Sequence, residues 1–167
     1  APASLARPEF HSELGMIFGA SYASTAVIPD GTQAPAVANP VADYAPCARP
    51  GARAPHVWLE HERRRVSTHD LVDRRLTVFA GRRGDPWRDA ARAVDASLGV
   101  PVSAYTVGAD ADIGDPEGEW QSAYGVEADG AVLVRPDGHV AWRRRSGAAD
   151  PGRELETALR AVLHRHA

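Results

Sequence analysis

The sequence predicts an α/β fold, a mixed sheet with helices on its faces, and three observations carry that expectation. Short apolar runs that suit buried strands alternate with longer stretches that repeat apolar residues at helical spacing. The pairs Asp85-Pro86, Asp115-Pro116 and Asp150-Pro151 each offer a capping carboxylate ahead of a proline at a first helical position. Between two apolar runs, Pro136-Asp137-Gly138 has the chemistry of a hairpin turn, with Pro presetting the bend and Gly supplying a left-handed position.

Taken in order, Leu14 to Val27 sets Met16, Ile17, Phe18, Tyr22 and Val27 among small residues, and is expected to form one or two strands. Such strands would have no core of their own. From about residue 29 to 55 the prolines Pro29, Pro35, Pro40, Pro46, Pro50 and Pro55 interrupt any regular structure and predict a long connector. His56-Val57-Trp58-Leu59 and Arg65-Val66-Ser67-Thr68 are short strands around a charged turn, and Leu76 to Ala80 is a buried strand. The helix at Asp85 carries Trp87, Ala90, Ala91, Val94 and Leu98 on one face. Val100 to Val107 is a strand, and a second helix is expected at Asp115. Ala131–Arg135 and His139–Arg143 form the hairpin, and the helix at Asp150 shows Leu155, Leu159, Val162 and Leu163 on its apolar side. The order from residue 76 is β-α-β-α-β-β-α, the thioredoxin-like arrangement. The expected organisation is an N-terminal strand segment and Pro-rich connector over 1–55, then a thioredoxin-like domain over 56–167.

Composition narrows the function. At 167 residues, 44% hydrophobic and 25% charged, the chain is one domain's worth of foldable sequence. The net charge of −3 and the scattered basic residues argue against a nucleic-acid partner. All 19 basic residues are Arg, which excludes a lysine Schiff base or a P-loop lysine. One cysteine, Cys47, allows neither an intrachain disulfide nor a dithiol centre, so a reducing cytoplasm is the expected location. No apolar run approaches the roughly 18 residues of a membrane span, and no signal-peptide core follows a basic start.

A thioredoxin-type redox site needs a nucleophilic cysteine between the first core strand and its helix, where the helix N-terminus lowers the thiol pKa. That loop, Gly81 to Trp87, contains no Cys, Ser or Thr, and Asp129-Gly130-Ala131 stands where a proline usually precedes the third core strand. No catalytic residue is expected. Cys47 has no activating base beside it in sequence and is expected to be an ordinary free thiol. Arg82 and Arg83 at a helix N-terminus form a candidate anion site, weighed against a solvated loop. The acidic stretch Asp110, Asp112, Asp115, Glu117 and Glu119 does not follow EF-hand spacing, and His11, His56, His61, His69, His139, His164 and His166 show no zinc spacing, so no metal is expected. Arg63–Arg65 and Arg143–Arg145 are expected to be exposed turn and strand-end charges. The four tryptophans suffice for a core and one exposed patch.

The stretches Asp43 to Leu59, Val66 to Leu71 and Leu76 to Gly81 resemble the C-terminal region of flavin-dependent aromatic hydroxylases, the phenol, polyketide and anthracycline-type enzymes. Tyr124-Gly125-Val126 and Asp129 to Arg143 are similar to that region's closing hairpin, and Tyr22 to Gly31 resembles the segment leading into it. The resemblance spans about residues 14 to 145. It implies a thioredoxin-like domain without its cysteines, from enzymes that use FAD and NAD(P)H. The family's flavin and substrate motifs lie in preceding domains and match nothing here, so no cofactor is expected in this chain. The start Ala1-Pro2-Ala3 lacks Met, which suits a cut-out domain or a trimmed short product. The leading expectation is a structural, docking or subunit-contact module whose partner is a flavin-binding domain in cis or trans, or a second copy. The alternatives are a peroxiredoxin-like reductase, which the opening strands also echo, and a protein that binds a small aromatic ligand in a cleft lined by tryptophans.

Overall fold

The computed structural model describes residues 13–164. His11 and His166 lie outside them. Four strands, β3 (Leu76–Gly81), β4 (Val102–Val107), β5 (Ala131–Val134) and β6 (Val140–Arg144), form a sheet in the order β4-β3-β5-β6. β3 and β4 are parallel, while β3–β5 and β5–β6 are antiparallel. Helices α2 (Asp85–Leu98), α3 (Trp120–Tyr124) and α4 (Pro151–Val162) complete the predicted order. A separate ribbon pairs β1 (Trp58–His61) with β2 (Arg64–Ser67).

The sheet separates two cores. On one side Leu76, Val78, Ala80 and Leu133 pack against Trp87, Ala91 and Val94 of α2 and Leu155 and Leu159 of α4. On the other, Phe79, Val132 and Val134 meet Trp120 and Tyr124 of α3, Leu59 of the ribbon, and Ala48, Ala54 and Val57. β3 is buried along its whole length because helices or loops cover both its faces. α2 and α4 each expose one charged side and bury one apolar stripe.

Two expectations change in the first half of the chain. Leu14–Phe18 is a short helix, α1, rather than a strand. Its Met16 N–H donates to the Val41 carbonyl, and Gly15 sits so close to the 40–43 turn that a Cβ there would overlap the Pro40 carbonyl oxygen. The sheet edge a strand would need is already taken: the Pro-rich stretch supplies Gly51–Ala54 to β6, with Gly51 N–H to Val140 O at 2.8 Å, Val140 N–H to Ala52 O at 2.9 Å and Ala54 N–H to Gly138 O at 2.9 Å. Residues 51–54 lie between Pro50 and Pro55, so their N–H groups remain free to pair. Gly51 holds a φ of 92°, and a side chain there would strike the Tyr22 carbonyl oxygen.

The Asp-Pro pairs also diverge. Asp150 caps α4, accepting from the Arg153 N–H at 3.0 Å. At α2 the N-cap is Gly84, and Asp85 instead occupies the first turn, paired with Arg88. Asp115 precedes a turn, and its carboxylate takes the N–H groups of Glu119 and Trp120, so the helix there starts four residues later than expected.

Candidate functional site

Where a thioredoxin-type nucleophile would stand, the loop carries the exposed Arg82 and Arg83 on a backbone tied down by hydrogen bonds. The Gly81 N–H donates to Gly130 O at 3.0 Å, Arg83 N–H to Ala128 O at 2.8 Å and Gly84 N–H to Gly81 O at 2.7 Å. Trp87, in the first turn of α2, is buried, stacks edge-on against Trp142 at 5.4 Å and donates its indole N–H to Asp129 O at 2.8 Å. Arg82 and Arg83 point into solvent, with Arg83 3.9 Å from the Asp129 carboxylate. Several N–H groups at this helix end already have acceptors, and Asp85 adds a negative charge there, so an anion would be held by the two guanidinium groups alone. For the same reason the α2 N-terminus does not suit the diphosphate of a flavin dinucleotide.

Other sequence candidates resolve into structure. Asp112 of the acidic stretch accepts from both Arg88 and Thr106; burial pushes its carboxyl up, and these hydrogen bonds outweigh burial and hold it below the usual range. Glu117 lies 3.5 Å from Arg65. Among the described residues no group of His, Cys, Asp and Glu is arranged to hold a metal ion. His56 accepts or donates at Ser67 Oγ, 2.8 Å away, and its ring lies parallel to that of His69 at 6.1 Å. Burial, then the charges of Arg53 and His56, lower the His69 pKa against the pull of Asp70.

Arg143 departs from expectation. Its side chain is only 7% exposed, and its guanidinium grips Asp30 through Nε at 2.8 Å and Nη2 at 2.5 Å, with a further bond to Thr32 Oγ1 at 3.0 Å. Burial raises the Asp30 carboxyl, but hydrogen bonds from Thr32 and Arg143 outweigh it, leaving the group below its ordinary value. Sequence reasoning missed this pair because the partners stand 113 residues apart. Of the tryptophans, Trp87, Trp120 and Trp142 are core, while Trp58 is half-exposed beneath the Arg65 guanidinium, 4.4 Å from its ring centroid.

What remains as a candidate surface is apolar. Leu14, Met16 and Ile17 are 49%, 60% and 61% exposed on α1, and Tyr22 and Val41 are also open to solvent. No described helix is long and apolar enough to cross a membrane. The architecture combines a thiol-free loop anchored by Trp87, a mixed sheet and an outward apolar face.

Residues 47–165 match the family described as aromatic-ring hydroxylase, C-terminal. The chain belongs to this family. As an aromatic-ring hydroxylase C-terminal domain it is 46% identical over 149 residues to aklavinone 12-hydroxylase RdmE of Streptomyces purpurascens, covering 89% of this chain and 27% of that protein. It is 43% identical over 160 residues to 4-methyl-5-nitrocatechol 5-monooxygenase of a Burkholderia species, covering 95% of this chain and 29% of the relative. Among solved structures the domain superimposes on the flavin-dependent monooxygenase PieE, determined with FAD and substrate, with a TM-score of 0.83 and 44% identity over 93% of this chain and 27% of that one. Aklavinone-11 hydroxylase with FAD and aklavinone gives 0.78 and 43%, covering 97% and 28%. The domain thus spans less than a third of the relatives it matches.

Proposed function

We propose that this chain is a redox-inactive docking module of an FAD- and NAD(P)H-dependent aromatic or polyketide monooxygenase, contacting the flavin-binding domain in cis or in trans and not catalytic alone. One observation carries the reading: the loop from Gly81 to Trp87 holds no thiol, while Leu14, Met16 and Ile17 present an apolar face to solvent. Burying such a face stabilises a contact by roughly 25 cal/mol per Å² of apolar surface removed from water. Flavin chemistry belongs to the partner domain, and the role here is packing. The thioredoxin-like unit is assigned to 56–167, with the preceding residues carrying the docking face. Arg82 and Arg83 add positive charge available to an anionic partner group. The single cysteine supports a cytoplasmic setting.

The test mixes the purified chain with a separately prepared, FAD-loaded flavin-binding domain of the family and follows mass by light scattering. A one-to-one complex is expected, lost when Met16→Asp and Ile17→Asp are combined, while circular dichroism and thermal midpoint stay unchanged because both side chains are exposed. Self-association lost on the same substitutions would select the homodimer instead. A monomer that binds no flavin domain would overturn docking, and peroxide turnover abolished by Cys47→Ser would replace it with the reductase.

A further inference from the structure

Beneath α1, on the side opposite its exposed face, the chain folds around a cleft of about 350 Å³. This is the small end of the range, about 300–1,000 Å³, that holds small organic ligands. One wall is aromatic: the rings of Phe18 and Tyr44 are 5.6 Å apart at a tilt of 46°. Arg53 lies over the Phe18 ring, 5.5 Å from its centroid. Arg49 donates from Nη2 to Ser21 Oγ at 2.6 Å, while its buried Nε has no acceptor. Prolines and alanines make much of the remaining lining.

The charge is unbalanced. Neither Arg49 nor Arg53 has a carboxylate partner among the described residues, although the other half-buried arginines, Arg88, Arg135, Arg143 and Arg160, do. Asp43, the acidic residue of the lining, uses its carboxylate on the Asn39 N–H at 2.9 Å. A guanidinium nitrogen buried without an acceptor is costly, and a planar oxyanion is the group whose geometry matches the guanidinium fork. Tyr44 keeps its proton, because burial and then the neighbouring Cys47 raise its pKa against the influence of Arg53, so its hydroxyl can donate.

We propose that this cleft binds a small aromatic carboxylate, its ring against Phe18 and Tyr44 and its carboxylate between Arg49 and Arg53. The volume suits one ring rather than a polycyclic body. Stacking and apolar walls select the aromatic part, and the two cations select the charge. The site is separate from the outward face of α1, so it stands or falls independently of docking.

Cys47 lines the cleft and is the sole cysteine, which makes its alkylation by iodoacetamide a local reporter readable by intact mass. Benzoate is the probe and benzyl alcohol its neutral counterpart. Benzoate is expected to slow Cys47 alkylation saturably and to shift the backbone amides of residues 44–53 in a nuclear magnetic resonance titration, whereas benzyl alcohol does neither. Arg49→Gln and Arg53→Gln should each weaken benzoate about tenfold, the loss of one charged hydrogen bond. Should either variant fold poorly, the comparison of benzoate with benzyl alcohol on the unaltered chain still decides. Equal effects of the two probes, no saturable shift, or shifts confined to residues outside the cleft would each overturn the proposal.

Discussion

Arg143 stands in a run of three arginines, yet it alone of that run is withdrawn from water: Arg144, its neighbour, keeps 45% of its side chain exposed. A guanidinium so placed is tolerated because Asp30, Thr32 and the Tyr124 carbonyl all accept from it. Replacing Asp30 by Leu leaves that charge buried and unpaired. The expected loss is about 3–5 kcal/mol in urea unfolding, and most of it should return when Arg143→Met is added. Acid acts in the same direction. The folded Asp30 carboxyl lies below its unfolded value, so the pair contributes fully above the unfolded value, about 3.9, and the contribution fades as pH falls through the folded one. An Asp30→Leu variant as stable as the unaltered chain would show that the 30–32 turn is not anchored through Arg143.

At the scale of elements, one dipeptide does three jobs. Asp150 caps α4 directly, whereas Asp85 sits one position inside α2 and meets Arg88 at 2.5 Å as an ion pair with a largely exposed carboxylate. Asp150→Ala should therefore cost about 1 kcal/mol. Asp85→Ala should cost less, about 0.5 kcal/mol or below, as an exposed pair does. Thermal melts of the two variants side by side check the order, and a larger loss at Asp85 would mean that its carboxylate supports the loop as well as the helix. The same local ambiguity explains α1. Its five residues have apolar spacing compatible with either a strand or a helical turn, and the contact with the 40–43 turn chose the helix.

Across the whole molecule, the Pro-rich stretch works as a surrogate edge strand. It closes β6 through Gly51–Ala54 and places Ala48 and Ala54 in the core beneath β5, while Ile28, just before it, donates its N–H to Ala141 O at 2.8 Å. A fragment of residues 56–167 would lose these bonds, on the order of 1 kcal/mol each, together with the apolar contacts. Against a total stability of roughly 5–15 kcal/mol, that loss should shift the urea midpoint well down and broaden the amide spectrum. A fragment that unfolds as cooperatively and as late as the full chain would show that the thioredoxin-like unit is self-sufficient.

The strands β3 and β4, the hairpin, α2 and α4 were determined by the sequence alone, because apolar periodicity, helix caps and turn chemistry act over fewer than about ten residues. So was the absence of a thiol from the β3–α2 loop, since the one cysteine of the sequence is Cys47. Tertiary structure decided the rest. The helix at α1, the burial of Arg143 against Asp30, the seating of Gly51–Ala54 on β6 and the convergence of Phe18, Tyr44, Arg49 and Arg53 on one cleft all depend on contacts between segments distant in sequence. Such contacts leave no local pattern, because what stabilises each residue is a partner that only the folded chain brings within reach.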